Sequence, residues 1–378
     1  MKTAAVEQGD LGVIAQAYGL SSVGTPQPVE RGVEPSISNL TTPQGDFVLR
    51  RYSIGGGIKN DVFKLHTPQG DFVLKRYTPE HKSEGEIDNE HGVLQHLLKK
   101  DFKSFARPLV ADLDSVDGDV EHYRGIETVV RIGENIYALF EQAEGAYATG
   151  NDIKPCVEAL ADYHLAISDY DAQKRVAIPG SVRSRELRSL SAALADSEPT
   201  GVIPEIGLHL GMLKQHLYAL ESKAQESGLP TLVCHNDYQS TNIIVDGNTA
   251  KFIDFEEAAR LYRLQEFIVC TNLFGYNKRG NFGFKRLKRI SAGYQERNPL
   301  TQEEIELFPD FFGIQAAYAF RDVLRIYERG EGIALETMLE DPKRAKWIEK
   351  DFRNAIAILE WSKINRARLT QAVSIKKD

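Results

Sequence analysis

The chemistry in this chain concentrates in one stretch, LVCHNDYQSTNIIVDGNTAKFIDFEEA, Leu232 to Ala258. Asp237 follows His235 and Asn236, Asn242 lies five residues further on, and Asp254 stands directly after Lys251-Phe252-Ile253. Far upstream, Lys75 closes a Phe-Val-Leu run, and Glu90 comes 15 residues later. These residue types form the set that phosphoryl transfer from ATP requires. A carboxylate, Asp237, accepts the proton of an attacking hydroxyl. An amide oxygen, Asn242, and a second carboxylate, Asp254, hold Mg²⁺ between phosphate oxygens. A lysine, Lys75, neutralises phosphate charge and is itself fixed by a glutamate, Glu90. The competing reading is a loop whose acids merely cap turns.

The elements that must carry Lys75 are duplicated. TPQGDFVLRRY, Thr42 to Tyr52, recurs as TPQGDFVLKRY, Thr67 to Tyr77, with Arg50 in the place of Lys75. At an offset of 25 residues the match extends without a gap from Gly32–Ser53 onto Gly57–Thr78. Pro-Gln-Gly-Asp is turn chemistry and Phe-Val-Leu is strand chemistry, so each copy reads loop, strand, turn, strand. Two copies are too few for a solenoid, which needs at least about three repeats. The second copy is the expected working one. Gly55, Gly56 and Gly57 precede it and let the backbone close over a phosphate, with Asn60 just beyond, whereas the first copy has Glu30 and Arg31 ahead of Gly32 and Pro35 in the place of Asn60. The spacing predicts that Asp46–Ile54 serves as the first strand before the glycine loop, with Gly32–Thr42 as an added strand or a loose edge.

A helix is expected after the second copy only. Ser83-Glu-Gly-Glu86 is a capping-box pattern, and Ile87, Glu90, Leu94 and Leu97 then fall on one face. Glu90 on that apolar stripe is either a stripe-edge residue with its head in water or an inward partner for a lysine. A short helix is predicted over residues 11–19, a strand over Ile136–Glu141, and a hinge at AEGAYATGND. Residues 152–168 read as a helix with His164 on its inward face, more simply a hydrogen-bonded core histidine than a catalyst. Asp246-Gly247 between two apolar runs signals a hairpin. Further helical patterns cover 303–329 and 343–361, and the tail from Lys363 reads as a polar, solvated end.

The chain has 378 residues, 42% of them hydrophobic and 26% charged, enough for a two-part molecule with packed cores. A net charge of −8 argues against a nucleic-acid partner. Three cysteines, Cys156, Cys234 and Cys270, lack metal-ligand spacing and read as reduced thiols of a cytoplasmic protein. No signal peptide and no membrane span are expected.

With these residues in view, the sequence resembles the aminoglycoside phosphotransferase / choline kinase superfamily of small-molecule kinases, over roughly Gly32 to Gly330. His-x-Asp-x-x-x-x-Asn is the spacing of a kinase catalytic loop. HND…N with FIDFEEA is similar to choline and ethanolamine kinases. ISAGYQERNPLTQEEIELFPDFF and the N-terminal IAQAYGL…VERGVEPSISNLTTPQGDFVL are similar to kinase-like bacterial homoserine kinases. The resemblance implies an α+β, bilobal protein-kinase-like fold: a small antiparallel β-sheet lobe with one main helix, and a larger, mainly helical lobe. It implies Asp237 as catalytic base, Asn242 and Asp254 as Mg²⁺ ligands, Lys75 on the α/β phosphates, and a structural His235. Asn236 replaces the arginine of His-Arg-Asp, and Asp254-Phe-Glu replaces Asp-Phe-Gly, so a regulated protein kinase is not expected. Gln265-Glu266-Phe267 stands where the family often has an aspartate after an aromatic or leucine.

The expected layout is an N-terminal helical segment (1–30), a nucleotide lobe (31–142), a catalytic and acceptor lobe (143–362) and the tail (363–378). The expected activity is transfer of the γ-phosphate to a hydroxyl of a small, amine-bearing metabolite or antibiotic, by a monomer or homodimer. Glu256, Glu257, Glu266 and Tyr262 are candidates for holding that acceptor, as are Phe267, Phe274 and Tyr276, whose aromatic faces could meet a cation. The basic run Asn277–Arg289 is either a solvated helix face or an anion site. The alternative from a different class is a non-catalytic kinase-fold protein with a binding or structural role, and ATP turnover across amino alcohols, amino acids and aminosugars separates the two.

Overall fold

The computed structural model describes residues 8–20, 26–28, 37–42, 45–51, 60–78, 82–114, 116, 119–171, 215–216, 219–220, 222–276, 282–314 and 358–374. The glycine loop, Gly55 to Gly57, and most of the helical patterns over 303–329 and 343–361 lie outside them. So does the start of the basic run. The chain divides into two compact units, Met1–Ala146 with Ala250–Glu257, and Tyr147–Thr249 with Ala258–Asp378.

The first unit contains helix α1 (Gln8–Ala17), strands β1 (Pro26–Pro28), β2 (Ile37–Thr42), β3 (Gly45–Arg51), β4 (Asn60–Thr67) and β5 (Gly70–Tyr77), helix α2 (Glu84–Lys99), and strands β6 (Val120–His122), β7 (Val130–Ile132) and β8 (Asn135–Glu141). The strands form one antiparallel sheet in the order β1-β2-β3-β4-β5-β8-β7-β6. The duplication is visible as geometry. Both copies fold into the same hairpin, with Thr42 opposite Gly45 in the first and Thr67 opposite Gly70 in the second. Gly70 has φ +134°, a conformation costly for any residue with a Cβ. As the sequence predicts, β3 pairs with β4, Arg50 opposite Lys64, and so stands where the strand ahead of the glycine loop is needed. The first copy's β2 extends the sheet outward.

Strand alternation decides which face Lys75 occupies. Leu74, Tyr137 and Leu139 point to one face, where Leu11 and Ile14 of α1 and Tyr18 just after it cover them. Asp10 ties α1 down by accepting hydrogen bonds from the Tyr137 hydroxyl (2.7 Å) and Asn135 Nδ2 (3.0 Å). Tyr77, Ile136 and Ala138 point to the other face and pack with Ile87 of α2. Lys75 lies opposite Ala138 in the register and so shares the α2 face. The capping box forms as expected, with the Ser83 backbone N–H and hydroxyl donating to Glu86 Oε2 at 2.8 and 2.6 Å.

A two-residue strand, β9 (Ala146–Tyr147), lies inside the stretch read as a hinge. The second unit holds α3 (Ile153–Ala166), β10 (Thr231–Cys234), β11 (Ile243–Asp246), β13 (Ala259–Tyr262), α4 (Arg263–Gly275), α5 (Phe284–Gln295), α6 (Gln302–Ile314) and α7 (Arg366–Val373); β12 (Thr249–Phe252) follows β11 after a turn at Gly247, φ +55°. Strand β10 pairs antiparallel with β13. The tail departs from expectation. Leu369, Ala372 and Val373 form a buried stripe, and Val373 O accepts from the Ser291 hydroxyl of α5 at 3.1 Å. The i, i+3, i+4 spacing of three apolar residues outweighs the polar composition around them. No helix among the described residues is long and apolar enough to cross a membrane.

Candidate functional site

Two groups of predicted residues assemble, one in each unit. In the first unit Lys75 is 7% exposed and Glu90 1%. Lys75 Nζ donates to Glu90 Oε1 at 2.8 Å and to Asp254 Oδ1 at 3.0 Å. Glu90 is therefore the inward partner rather than a stripe-edge residue. Burial alone would push the Lys75 amine down, but the Asp254 and Glu90 carboxylates outweigh it and hold its pKa well above the ordinary lysine value. Burial would raise the Glu90 carboxyl, and Lys75 and Lys82 together bring it below the ordinary glutamate range. The Tyr77 hydroxyl donates to Glu90 Oε2 at 3.2 Å and also contacts His91 Nε2 at 2.7 Å. His91 is fully buried, which drives its pKa down to about 4 and keeps the ring neutral beside this pair. Asp254 has φ +63°, in the left-handed region that aspartate tolerates better than most side chains.

Sequence reasoning missed Lys82. Its side chain is fully buried, its Nζ donates to Glu256 Oε2 at 2.7 Å, and Glu90 Oε2 lies 3.8 Å away. The available signal was its place immediately before the Ser83 cap. This corrects the reading of Glu256 as an acceptor ligand, because its carboxylate pairs with Lys82 and approaches Lys75 at 3.7 Å. Glu257 is half-buried at the end of that segment.

In the second unit the Asp237 loop is held from several sides. Asn242 Nδ2 donates to the Asp237 carboxylate at 2.7 Å and to its backbone carbonyl at 3.0 Å, and Gln239 Nε2 donates to the same carboxylate oxygen at 2.9 Å. Glu266, 2% exposed, accepts from the backbone N–H of His235 at 3.1 Å and of Asn236 at 2.8 Å. His164 Nε2 meets Glu266 Oε2 at 2.9 Å, and His164 Nδ1 meets the Tyr294 hydroxyl at 2.6 Å. His164 is thus a hydrogen-bonded core histidine, as read from its helix face. Burial would raise the Glu266 carboxyl, but the hydrogen bond from His164, the nearby His235 and the Asn236 N–H bring it below the ordinary range. Asn236, with φ +62°, makes the sharp turn that presents Asp237, and an asparagine accepts that conformation at small cost.

These bonds overturn the acceptor role read for Glu266, whose two oxygens are used on internal donors. Tyr262 is likewise buried, its ring edge-on to Phe311 at 5.9 Å, and Phe267 and Phe274 are fully buried core. In the basic run, Arg286 Nε donates to Phe274 O at 2.8 Å, while Lys285, Lys288 and Arg289 are exposed on α5. All three cysteines are free and buried, and burial pushes the Cys156 thiol up to about 12 and raises Cys234 and Cys270 as well, so none is a nucleophile at neutral pH.

Asn242 in the second unit and Asp254 in the first are each of the oxygen-bearing type that a hard divalent cation takes. Both hydrogen bonds of the Asn242 amide nitrogen go to Asp237, which turns that nitrogen away from a ligand role, and the Asp254 carboxylate is 41% exposed.

Comparison with known proteins agrees with this chemistry. The chain is 26% identical over 309 residues to a homoserine kinase of Rhodospirillum rubrum, a match covering 80% of this chain and 81% of that protein. It is 29% identical over 153 residues to a homoserine kinase of Chelativorans sp., covering 40% of this chain and 45% of that protein. Its fold is similar to an aminoglycoside phosphotransferase from Alicyclobacillus acidocaldarius, with a TM-score of 0.57, 16% identity and coverage of 86% and 92% of the two chains. It is also similar to an amicoumacin kinase solved with AMP-PNP and Ca²⁺, with a TM-score of 0.56, 14% identity and coverage of 92% and 94%. The profile of the phosphotransferase enzyme family matches residues 52–300, from the strand pair carrying Lys75 through the Asp237 loop and α5, and the chain belongs to that family.

Proposed function

We propose that the protein transfers the γ-phosphate of ATP, with Mg²⁺, to the hydroxyl of a small amine-bearing molecule, and that this acceptor is an amino acid of the homoserine type. The observation that carries the reading is the Lys75 ammonium, buried between Glu90 of α2 and Asp254 from the end of the catalytic motif. Such a cation is held in place yet keeps a third N–H for a phosphate oxygen. Asp237 accepts the proton of the acceptor hydroxyl as its oxygen bonds to the γ-phosphorus and the bond to the ADP oxygen breaks. Asn242 steers the Asp237 carboxylate and, with Asp254, offers the oxygen ligands for the metal. A metal held by these residues would supply neutralisation of the charge building on the phosphate oxygens. The glycines at 55–57, outside the described residues, and Asn60 are the expected phosphate-side segment. On this reading the segment 31–142 serves the nucleotide and 143–362 the acceptor, in a cytoplasmic enzyme whose buried thiols suit a reducing compartment.

The amino acid acceptor is supported by the homoserine kinase relative that matches four-fifths of its length. The test is ADP formation by the purified protein in Mg²⁺ with L-homoserine, choline, ethanolamine and aminosugars in turn. Acceptor-dependent ADP formation, fastest with L-homoserine, is expected. Fastest turnover with choline or an aminosugar moves the acceptor class. Absence of turnover with every acceptor, together with absence of Mg-ATP binding, assigns the chain a non-catalytic role.

A further inference from the structure

Buried Lys75, Lys82 and Glu90 form a square with the part-buried Glu256, all within the first unit. Glu256 Oε2 stands 2.7 Å from Lys82 Nζ but 3.7 Å from Lys75 Nζ, outside hydrogen-bond range of the second lysine. Lys82 is set by its backbone N–H, which donates to Thr78 O at 3.0 Å just ahead of α2. An ammonium has three N–H donors. Glu90 and Asp254 take two from Lys75.

We propose that Lys82 is a positioning residue for the phosphate-binding lysine, drawing the Glu256 carboxylate aside so that the third N–H of Lys75 remains for the nucleotide. The inference rests on the ATP-dependent reading above. If Lys82 is removed, the ammonium left beside Glu256 among the described residues is Lys75, about 0.5 Å beyond hydrogen-bonding range. A small rotation of the carboxylate closes that gap, and the nucleotide phosphate then competes with a resident anion.

The test is equilibrium binding of AMP-PNP by calorimetry, with Mg²⁺ and with EDTA, well below each variant's thermal midpoint. It needs no acceptor and no turnover. Lys82→Met is expected to weaken binding at least about tenfold in both conditions, the scale of one hydrogen bond to a charged group. Lys82→Arg, which keeps the cation, is expected to stay within about threefold of the parent. Lys82→Met combined with Glu256→Gln is expected to recover most of the loss, because the competing carboxylate has gone with its restraint. Should Lys82→Met fold poorly, Lys82→Gln replaces it and is likewise expected to bind more weakly. Parent-like affinity in a folded Lys82→Met or Lys82→Gln protein overturns the proposal. So does a double variant as weak as the single one, which would place Lys82 itself on the phosphate. If the parent chain does not bind AMP-PNP, the ATP-dependent reading fails, and this inference fails with it.

Discussion

Glu90 in the first unit and Glu266 in the second are both almost completely buried, and the two are satisfied by opposite means. Glu90 is surrounded by cations, with Lys75 at 2.8 Å and Lys82 at 3.8 Å. Glu266 is surrounded by N–H groups, two from the backbone of the Asp237 loop and one ring nitrogen from His164. The difference follows from what each must hold. A side-chain ammonium that meets a phosphate has to remain charged and able to exchange partners, which opposite charges allow. A backbone turn with a left-handed residue at Asn236 has to be fixed, which directional hydrogen bonds to the main chain achieve. One glutamate therefore positions a charge, and the other positions a loop.

The largest expected effect breaks the loop side at its tip. Asp237→Asn should lower kcat by about 10²–10⁴, the range for a general base, with AMP-PNP affinity preserved. Near-parent turnover would remove Asp237 from that role. On the charge side, Lys75→Ala should cost about 10²–10³ in kcat, as for loss of one preorganised charge-stabilising donor. Steady-state rates at saturating ATP and acceptor provide the check.

The two glutamates can then be set against each other. Glu90→Gln should weaken AMP-PNP binding about tenfold, since Lys75 loses a charged partner and shifts toward Asp254. Glu266→Gln should leave that affinity within about twofold, while placing an NH₂ against backbone donors and costing about 1–3 kcal/mol of stability. Calorimetric binding and thermal unfolding measured on both variants test this, and equal losses of nucleotide affinity would erase the distinction.

Acid should sharpen the contrast further. The Glu90 carboxyl lies below its ordinary value when folded, so the unfolded chain binds that proton first. Its contribution to stability is fully present above about pH 4.3 and is lost as pH falls through the lowered folded value. The thermal midpoint of the parent should fall in that acid range, and Glu90→Gln should show a shallower fall. An unchanged slope would deny Glu90 its share. The smallest effect belongs to the duplicate copy. Arg50→Ala should stay within about 0.5 kcal/mol in stability and leave kcat near the parent. Damage from Arg50→Ala with tolerance of Lys75→Ala would make the first copy the nucleotide-binding one.

Local chemistry made much of the site legible. The spacing of Asp237, Asn242 and Asp254, the Ser83 capping box, and the placing of Glu90 on an apolar stripe all follow from bonds within a few residues of one another. The shared register of the two hairpins also follows locally, with Thr42 opposite Gly45 and Thr67 opposite Gly70 around the same four-residue sequence. Tertiary structure decided the partners. Glu256 and Glu266 read as candidates for holding the acceptor. Each is instead satisfied by residues brought from far along the chain, Lys82 from 174 positions away and His164 from 102. Lys82 carried only one local mark, its place before the Ser83 cap, and a lysine beside a helix cap is ordinarily solvated. The final helix was misread for the same reason: three apolar residues in a polar tail become a buried face only when α5 is there to receive them. A sequence fixes what a side chain can do, but burial and pairing depend on which distant groups the fold brings within 3 to 4 Å, and there opposite charges and hydrogen bonds outweigh local polarity.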